Sequence, residues 1–355
     1  MAFTIYDHKE ISGVLSEIVP FQHQLLNHFG NVINFDTPTI DFDKIDDDLR
    51  VAIYVDPALS AKNLRERGFS TKTYTAPYTK QKASITPSNI YKRAAGEPIN
   101  NFASPSEKYN ATLIQKATQM RIFQQRLLEL TASQLLLAGT YTATSELYPV
   151  PVTVDFERKA ANSYNFTTLN ANGGVGKRAW GSTGGTATVS PLADLEEFLD
   201  SCQEHIETVY MADDAWAQFK LDPGFAKAIS STMTPTDIAS LRLLPVQGTI
   251  QGLKYRGRLE ANGTNIYTFN GTYQHPTTGT ITKYIPAGYI VGVPSSAFGT
   301  IAYGAIQHGE AGYQSVDEFW NMWMDDEFGI PYLQMQSAPM LIHTKIDSTF
   351  GIKVM

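Results

Sequence analysis

Glycine amides beside a lysine are the groups that cradle a phosphate, and Gly173-Gly174-Val175-Gly176-Lys177 offers both. The rest of that chemistry is missing. A phosphate loop also needs glycine where Ala171 stands, serine or threonine where Arg178 stands, and a buried strand leading into it. Metal binding fares no better. The seven histidines, at positions 8, 23, 28, 205, 275, 308 and 343, are scattered without a ligand spacing on one helix face. Asp41, Asp43, Asp46, Asp47 and Asp48 supply carboxylates for calcium, but the loop glycine and closing glutamate of an EF-hand are absent. His308 with Glu310, or Glu204 with His205, could pass a proton, yet no serine or cysteine sits in a G-x-S-x-G elbow to be activated by it. The sequence predicts no enzyme, no metal site and no cofactor.

Charge patterning points to contact instead. Residues 1–50 hold nine acids (Asp7, Glu10, Glu17, Asp36, Asp41, Asp43, Asp46, Asp47, Asp48) against three bases (Lys9, Lys44, Arg50). Residues 60–93 reverse this, with eight bases (Lys62, Arg65, Arg67, Lys72, Lys80, Lys82, Lys92, Arg93) against Glu66. Such segments can attract each other within a chain or between chains. Taken alone they read as two solvated faces, because exposed ion pairs contribute little. The net charge of −7 argues against a general nucleic-acid binder. Cys202 is the only cysteine, so no intrachain disulfide forms, which fits a reducing cytoplasm. No run approaches the ~20 apolar residues of a membrane span, and residues 1–10 lack a signal-peptide pattern. A hydrophobic fraction of 43% is enough for a real core.

The elements that must position these charges follow from periodicity. Residues 17–29 have helix-like spacing, followed by an irregular acidic run broken by Pro38, so residues 1–50 read as an arm more than a core element. From Val51 to Tyr91 the chain turns β-branched and aromatic, with turn residues at Gly68, Pro77 and Pro87. This basic β-excursion has few large aliphatic residues, so it must lie on something else, such as another subunit. Ser104, Pro105 and Glu107 form a capping box that starts a helix of about 34 residues, roughly 50 Å long, stopped by Gly139. Leu113, Ile114, Ala117, Met120, Phe123, Leu127, Leu130 and Leu135 are its expected packed face, with Gln115, Lys116, Gln124, Gln125 and Arg126 on the other side. A hairpin is expected over 140–156, a surface loop over 170–185, a helix over 191–205, a strand over 208–211, a helix from Asp213 or Asp214, and short strands over 248–306. Trp320, Met322, Trp323 and Met324 precede the acids Asp325, Asp326 and Glu327. On a helix, Trp320, Trp323 and Met324 would share a stripe, and core packing is its plainest use.

A family resemblance joins these elements. Tyr54-Val55-x-Pro57, Arg65-x-Arg67-Gly68, Thr75, Tyr78, Lys80-x-Lys82 and Pro87 are followed by Arg93, Glu97, Ala103 and Pro105. Beyond the long helix come Gly139, Tyr141-Thr142-x-Thr144, Glu146, Pro151-Val152-x-Val154-Asp155 and Arg158, and near the end Gln336-Ser337-Ala338-Pro339. In order and spacing the chain resembles the major capsid proteins of lambda-like tailed bacteriophages, most closely over residues 50–158 and 330–350. It departs at Ala76 and Gln81, where that pattern has proline. The resemblance implies an α+β, Hong Kong 97-type capsid fold. Residues 1–50 would be the N-terminal arm, 51–93 the extended loop, 94–157 the peripheral domain with its spine helix, 158–320 the axial domain, and 321–355 a return to the peripheral domain.

It also implies a function: an icosahedral shell of hexamers and pentamers enclosing double-stranded DNA that it touches only non-specifically. A separate scaffolding protein, a portal and a decoration protein are the expected partners, with no membrane, assembly in the host cytoplasm and residence in the virion. The opposed charges then become an expected contact between subunits, Arg65, Arg67, Lys72, Lys80 and Lys82 facing Asp41, Asp43, Asp46, Asp47 and Asp48. No asparagine follows Asn321, so a lysine–asparagine cross-link near the C-terminus is not expected, and with the long helix starting at Pro105 neither is a fused scaffold. An encapsulin-type compartment shell is the main alternative, to be separated by gene neighbours. An enzyme is the second, and it lacks a visible cleft of ionisable residues.

Overall fold

The computed structural model describes residues 23–45, 69–88, 104–145, 147–163, 165–166, 179–181, 190–202, 204–222, 252–259, 263–276, 278–294, 299–327, 329–343 and 345–355. Among them, Ser104 does what its sequence context requires. Its hydroxyl accepts from the Glu107 amide at 3.3 Å, and the Glu107 carboxylate accepts from the Ser104 amide at 2.7 Å. Helix α1, Pro105–Ala138, follows, its 34 residues spanning about 51 Å. It stops at Gly139, which takes a left-handed φ of 74° while its amide donates to the Leu135 carbonyl at 2.8 Å.

Two cores are strung along this helix. Tyr109, Leu113, Ala117 and Met120 in its first half pack against Ile85, Trp320, Met322, Leu333 and Met335. Leu128, Ala132, Leu135 and Leu136 in its second half belong to the larger core, with Leu25, Phe29, Tyr141, Val154 and Phe350. The seam between them runs through Gln124, which was expected on the polar side but is buried, accepting from the Thr79 hydroxyl at 3.1 Å. Phe123 and Leu127 instead are 48% and 41% exposed. Each precedes a seam residue by one position, which is about 100° around an α-helix. Ile114, also expected in the packed face, is exposed as well.

The strands sort into small sheets around α1. β1 (Asn31–Asn34) and β2 (Thr39–Ile45) come from the segment read as an irregular run, which the structure corrects. β3 (Phe69–Thr75) pairs with β2, and β4 (Thr79–Ser84) follows β3 after a three-residue link. The basic excursion, as far as it is described, therefore lies on its own chain. The expected hairpin is β5 (Thr140–Ser145) with β6 (Tyr148–Asp155). The helix α2, Pro191–Ser201, then leads to β7 (Ile206–Met211) and α3 (Asp213–Phe219). The β-rich stretch supplies β8 (Leu253–Leu259), β9 (Thr264–Phe269), β10 (Thr272–Gln274), β11 (Ile281–Lys283), β12 (Tyr289–Pro294) and β13 (Gly299–Tyr303). Last come β14 (Phe319–Met324), β15 (Pro331–Ser337), β16 (Pro339–His343) and β17 (Phe350–Lys353).

The largest sheet has the order β17-β12-β7-β9-β8, with β7 and β9 parallel and the other neighbours antiparallel. β12 is apolar and buried almost throughout, and β7 is buried at Ile206 and from Val209 to Met211, as central strands covered on both faces tend to be. β17, the last strand of the chain, is an edge of this sheet and also touches α1. A side chain on Gly351 would meet the Leu137 carbonyl oxygen at 2.1 Å. β1-β13-β16 and β14-β15-β4 form two three-stranded sheets.

Two more expectations fail here. Residues 319–324 form a strand, not a helix, so Trp320 and Met322 point into the first core while Trp323 joins Tyr332 on the opposite face, ring centroids 5.7 Å apart. The arm is also not peripheral throughout. Leu25, Leu26 and Phe29 are buried, and among the described residues the expected helix is a single tight turn, Leu26–His28. Most of the 170–185 loop, including the glycine–lysine run, lies outside the described residues.

Candidate functional site

The charged segments meet in the β2–β3 ribbon. Their register places Asp41 opposite Thr73, Phe42 opposite Lys72 and Asp43 opposite Thr71. Directly opposed residues share a face and successive residues alternate, so Lys72 and Asp41 fall on different faces of the ribbon. Asp41 accepts from the Thr73 hydroxyl at 2.6 Å. Lys72 pairs with Glu157 at 2.5 Å, and that hydrogen bond raises the lysine pKa. Tyr74 donates to the Asp155 carbonyl and packs against Phe156, so the ribbon is fastened at its base to the end of β6. Ala76 closes the ribbon by donating its amide to the Pro38 carbonyl at 3.1 Å, a bond that the proline found here in the lambda-like pattern would remove.

The other expected contact residues separate. Lys80 and Lys82 stand exposed on β4, an edge strand. Lys82 lies 3.7 Å from the Tyr332 ring centroid and 5.1 Å from that of Trp323, a cation–π arrangement instead of an ion pair. Arg65, Arg67, Asp46, Asp47 and Asp48 lie outside the described residues, as does the Asp43 side chain. Sequence reasoning thus found two segments that do come together, within one chain, but not through the charge pairs it named.

It missed the residues that hold the ribbon and the arm in place. Glu129 is 1% exposed, and its carboxylate accepts from the amides of Gln24, Leu25 and Leu26 at 3.1, 2.9 and 3.1 Å. Three consecutive amides at the start of a turn are the usual orphans of a helix N-terminus, and here a side chain over a hundred positions away satisfies them. Arg158 performs the converse service at the far end of α1, donating to the carbonyls of Leu136 at 2.7 Å and Leu137 at 2.5 Å and to the Ser163 hydroxyl at 2.8 Å. Burial pushes its pKa down to about 10, so it stays cationic at neutral pH, where it also complements the negative end of the helix dipole. Asp222, buried as well, accepts from the Leu192 amide at 2.9 Å and the Ser190 hydroxyl at 3.1 Å, capping α2 from a distance. A lone acid between Leu128 and Leu130 was the one available signal for Glu129.

His28 and His343 have structural places. Burial lowers the pKa of His28 to about 4 against a partial counter-effect of Glu129, and its ring meets the Tyr210 hydroxyl at 2.9 Å. His343 is lowered further, to about 3, by burial and then by the nearby charge of Arg158. Among the described residues no three His, Cys, Asp or Glu side chains converge, and no helix is long and apolar enough to cross a membrane.

The surface also carries exposed apolar side chains. Val32 and Ile33 on β1 are 60% and 46% exposed, Phe123 and Leu127 form a pair on α1, and Leu147 and Val150 at the end of the β5–β6 hairpin are 94% and 69% exposed. Leu221, Ile281 and Tyr313 are also exposed, each singly, whereas the pairs on these three elements are candidate surfaces for protein contact.

Known proteins agree with that geometry. The family described as "Phage major capsid protein E" matches residues 7–354. The major capsid protein of Enterobacteria phage phi80 is 24% identical over 337 residues, 92% of each chain, and that of Escherichia phage lambda is 23% identical over 327 residues, 90% of each. The fold matches the crystal structure of a prophage capsid protein from E. coli CFT073, with a TM-score of 0.72 at 16% identity, over 99% of this chain and 100% of that one. The architecture is therefore the Hong Kong 97-type capsid fold that the resemblance implied. The chain belongs to the phage major capsid protein E family, and its role is structural, as a major capsid protein of the lambda-like phages.

Proposed function

We propose that the subunit builds a closed icosahedral head from hexamers and pentamers and encloses double-stranded DNA, which it contacts only non-specifically. The observation that carries this reading is the distribution of exposed apolar residues over β1, α1 and the β5–β6 hairpin. A monomer gains nothing from three such patches, whereas a shell subunit must bind several neighbours at once. The net charge of −7 suits a wall that must not adhere to its contents. Residence in the virion, assembly in the host cytoplasm, and service by a separate scaffolding protein, a portal and a decoration protein complete the proposal. The partition into arm, extended loop, peripheral and axial domains is retained as proposed, with β17 contributing a strand to the large sheet.

The charged contact is part of the same proposal in narrowed form. Lys72 already has Glu157 and Lys82 its two rings, so Arg65, Arg67 and Lys80 carry the contact with acids of the neighbouring arm, Asp41, Asp43, Asp46, Asp47 and Asp48. Electron microscopy of the purified protein after assembly tests the whole reading. Closed particles of uniform size are expected, and a chain that stays monomeric under all assembly conditions would sink it. Reversing Arg65 and Arg67 to glutamate is expected to leave a folded subunit whose shells fail or fall apart at lower salt.

A further inference from the structure

We infer that the exposed stripe of α1, Phe123 and Leu127 flanked by Lys116 and Arg126, is a docking site for residues 10–19 of a second copy of this chain. Phe123 and Leu127 are exposed, and the stripe they start runs on to Leu130, which is partly buried against the larger core. Counting 100° per residue, Phe123, Leu127, Leu130, Lys116 and Gln134 fall within one 60° sector, and Arg126 and Gln119 lie beside it. No acid of α1 falls in that sector, since Glu107 and Glu129 both point well away from it. The surface to be covered is thus an apolar strip with basic edges.

The occupant is written in the same sequence. Residues 10–19 read Glu-Ile-Ser-Gly-Val-Leu-Ser-Glu-Ile-Val, with apolar residues at Ile11, Val14, Leu15, Ile18 and Val19. Those positions are i, i+3, i+4, i+7 and i+8, the pattern of one apolar face, and the only charges beside it are Glu10 and Glu17. The segment therefore complements the strip in both respects, apolar face to apolar face and acids to Lys116 and Arg126.

Geometry decides whose segment it is. The described chain starts at His23, and the following three amides are fixed on Glu129. Glu129 points roughly 140° away from the midline of Phe123 and Leu127. A segment packed against α1 at the usual 8–10 Å would have to travel an arc of roughly 22 Å to reach the stripe from that side. The four steps from residue 19 to residue 23 extend at most about 14 Å. The chain's own segment falls short, and a neighbour's does not have this constraint.

Two full-length variants in a Cys202→Ser background test this, one carrying Leu15→Cys and the other Leu127→Cys, assembled separately and as a mixture, then oxidised. The expected result is a band at twice the 39.2 kDa subunit on a non-reducing gel, lost on reduction and present only in the mixture. A disulfide within one chain, in a Leu15→Cys/Leu127→Cys double variant kept below the assembly concentration, overturns the inference, as does the absence of dimer from well-formed mixed shells. A charge exchange keeps the test open should the cysteine variants assemble poorly. Lys116→Glu with Arg126→Glu is expected to lower particle yield at least tenfold, and adding Glu10→Lys with Glu17→Lys to restore most of it. Failure of that rescue in a folded chain also overturns the inference.

Discussion

The first half of α1 is closed by residues three positions apart, Ser104 and Glu107, whereas the second half is held by partners 22 and 105 positions away, Arg158 and the amides that bind Glu129. Its surroundings differ in the same way. One sheet, β14-β15-β4, covers the first half on one side, while the second half is enclosed by the arm, the hairpin and β17. A local cap can tell a helix where to begin, but only non-local contacts fix where the rest of the chain goes. The N-terminal half should thus tolerate loss of its cap, and the C-terminal half should not tolerate loss of its clasps.

Glu129→Ala gives the largest expected effect. It leaves three buried amides without an acceptor, at about 1–3 kcal/mol each, so destabilisation of at least about 3 kcal/mol is expected in denaturant unfolding of the subunit. A loss under about 1 kcal/mol would erase the contrast between the halves. Acid should probe the same region. Because the folded-state pKa values of His343 and His28, about 3 and about 4, lie below the ordinary 6.5, the unfolded chain binds more protons in between. The stability that depends on their neutrality is complete above pH 6.5 and is lost as pH falls toward 4 and then 3. At about 1.4 kcal/mol per unit, His343 alone contributes on the order of 5 kcal/mol to that fall, and a His343→Gln chain should show a flatter pH profile.

Arg158→Ala comes next, with an expected cost of about 2 kcal/mol from two charge-assisted bonds to the end of α1. Its mark should be faster hydrogen exchange in the last turn of the helix, with the first turn unchanged. Ser104→Ala is the smallest, about 1 kcal/mol, and its exchange effect should be confined to the first turn. Should Ser104→Ala prove as costly as Glu129→Ala, the division between local and non-local halves would have to be abandoned.

The same division explains what could be read from the sequence. The helix boundaries, the β5–β6 hairpin and the order α2, β7, α3 were legible because capping residues, alternation and turn residues act over a few positions. The Phe319–Met324 strand was not, because Phe-Trp-Asn-Met-Trp-Met is apolar at nearly every position and fits either period until a neighbouring strand selects one. The buried arm was missed because Leu25, Leu26 and Phe29 show no distinctive pattern without Glu129 to receive them. In the β2–β3 ribbon two oppositely charged segments pair within one chain, but which face each side chain occupies depends on the register, which composition does not specify. Phe123 and Gln124 exchanged their expected places for a similar reason, a single position along α1 being about 100° of rotation.

A rod of about 51 Å fixed at both ends and gripped about three-quarters of the way along is, mechanically, a beam on supports. Tension on the arm enters it at Glu129, and the closed termini keep the helix from fraying at either end under that tension. The force is then shared between the two cores instead of being concentrated in a loop. In a wall made of many such subunits, stiffness would come less from any one interface than from each chain carrying strain along its own length.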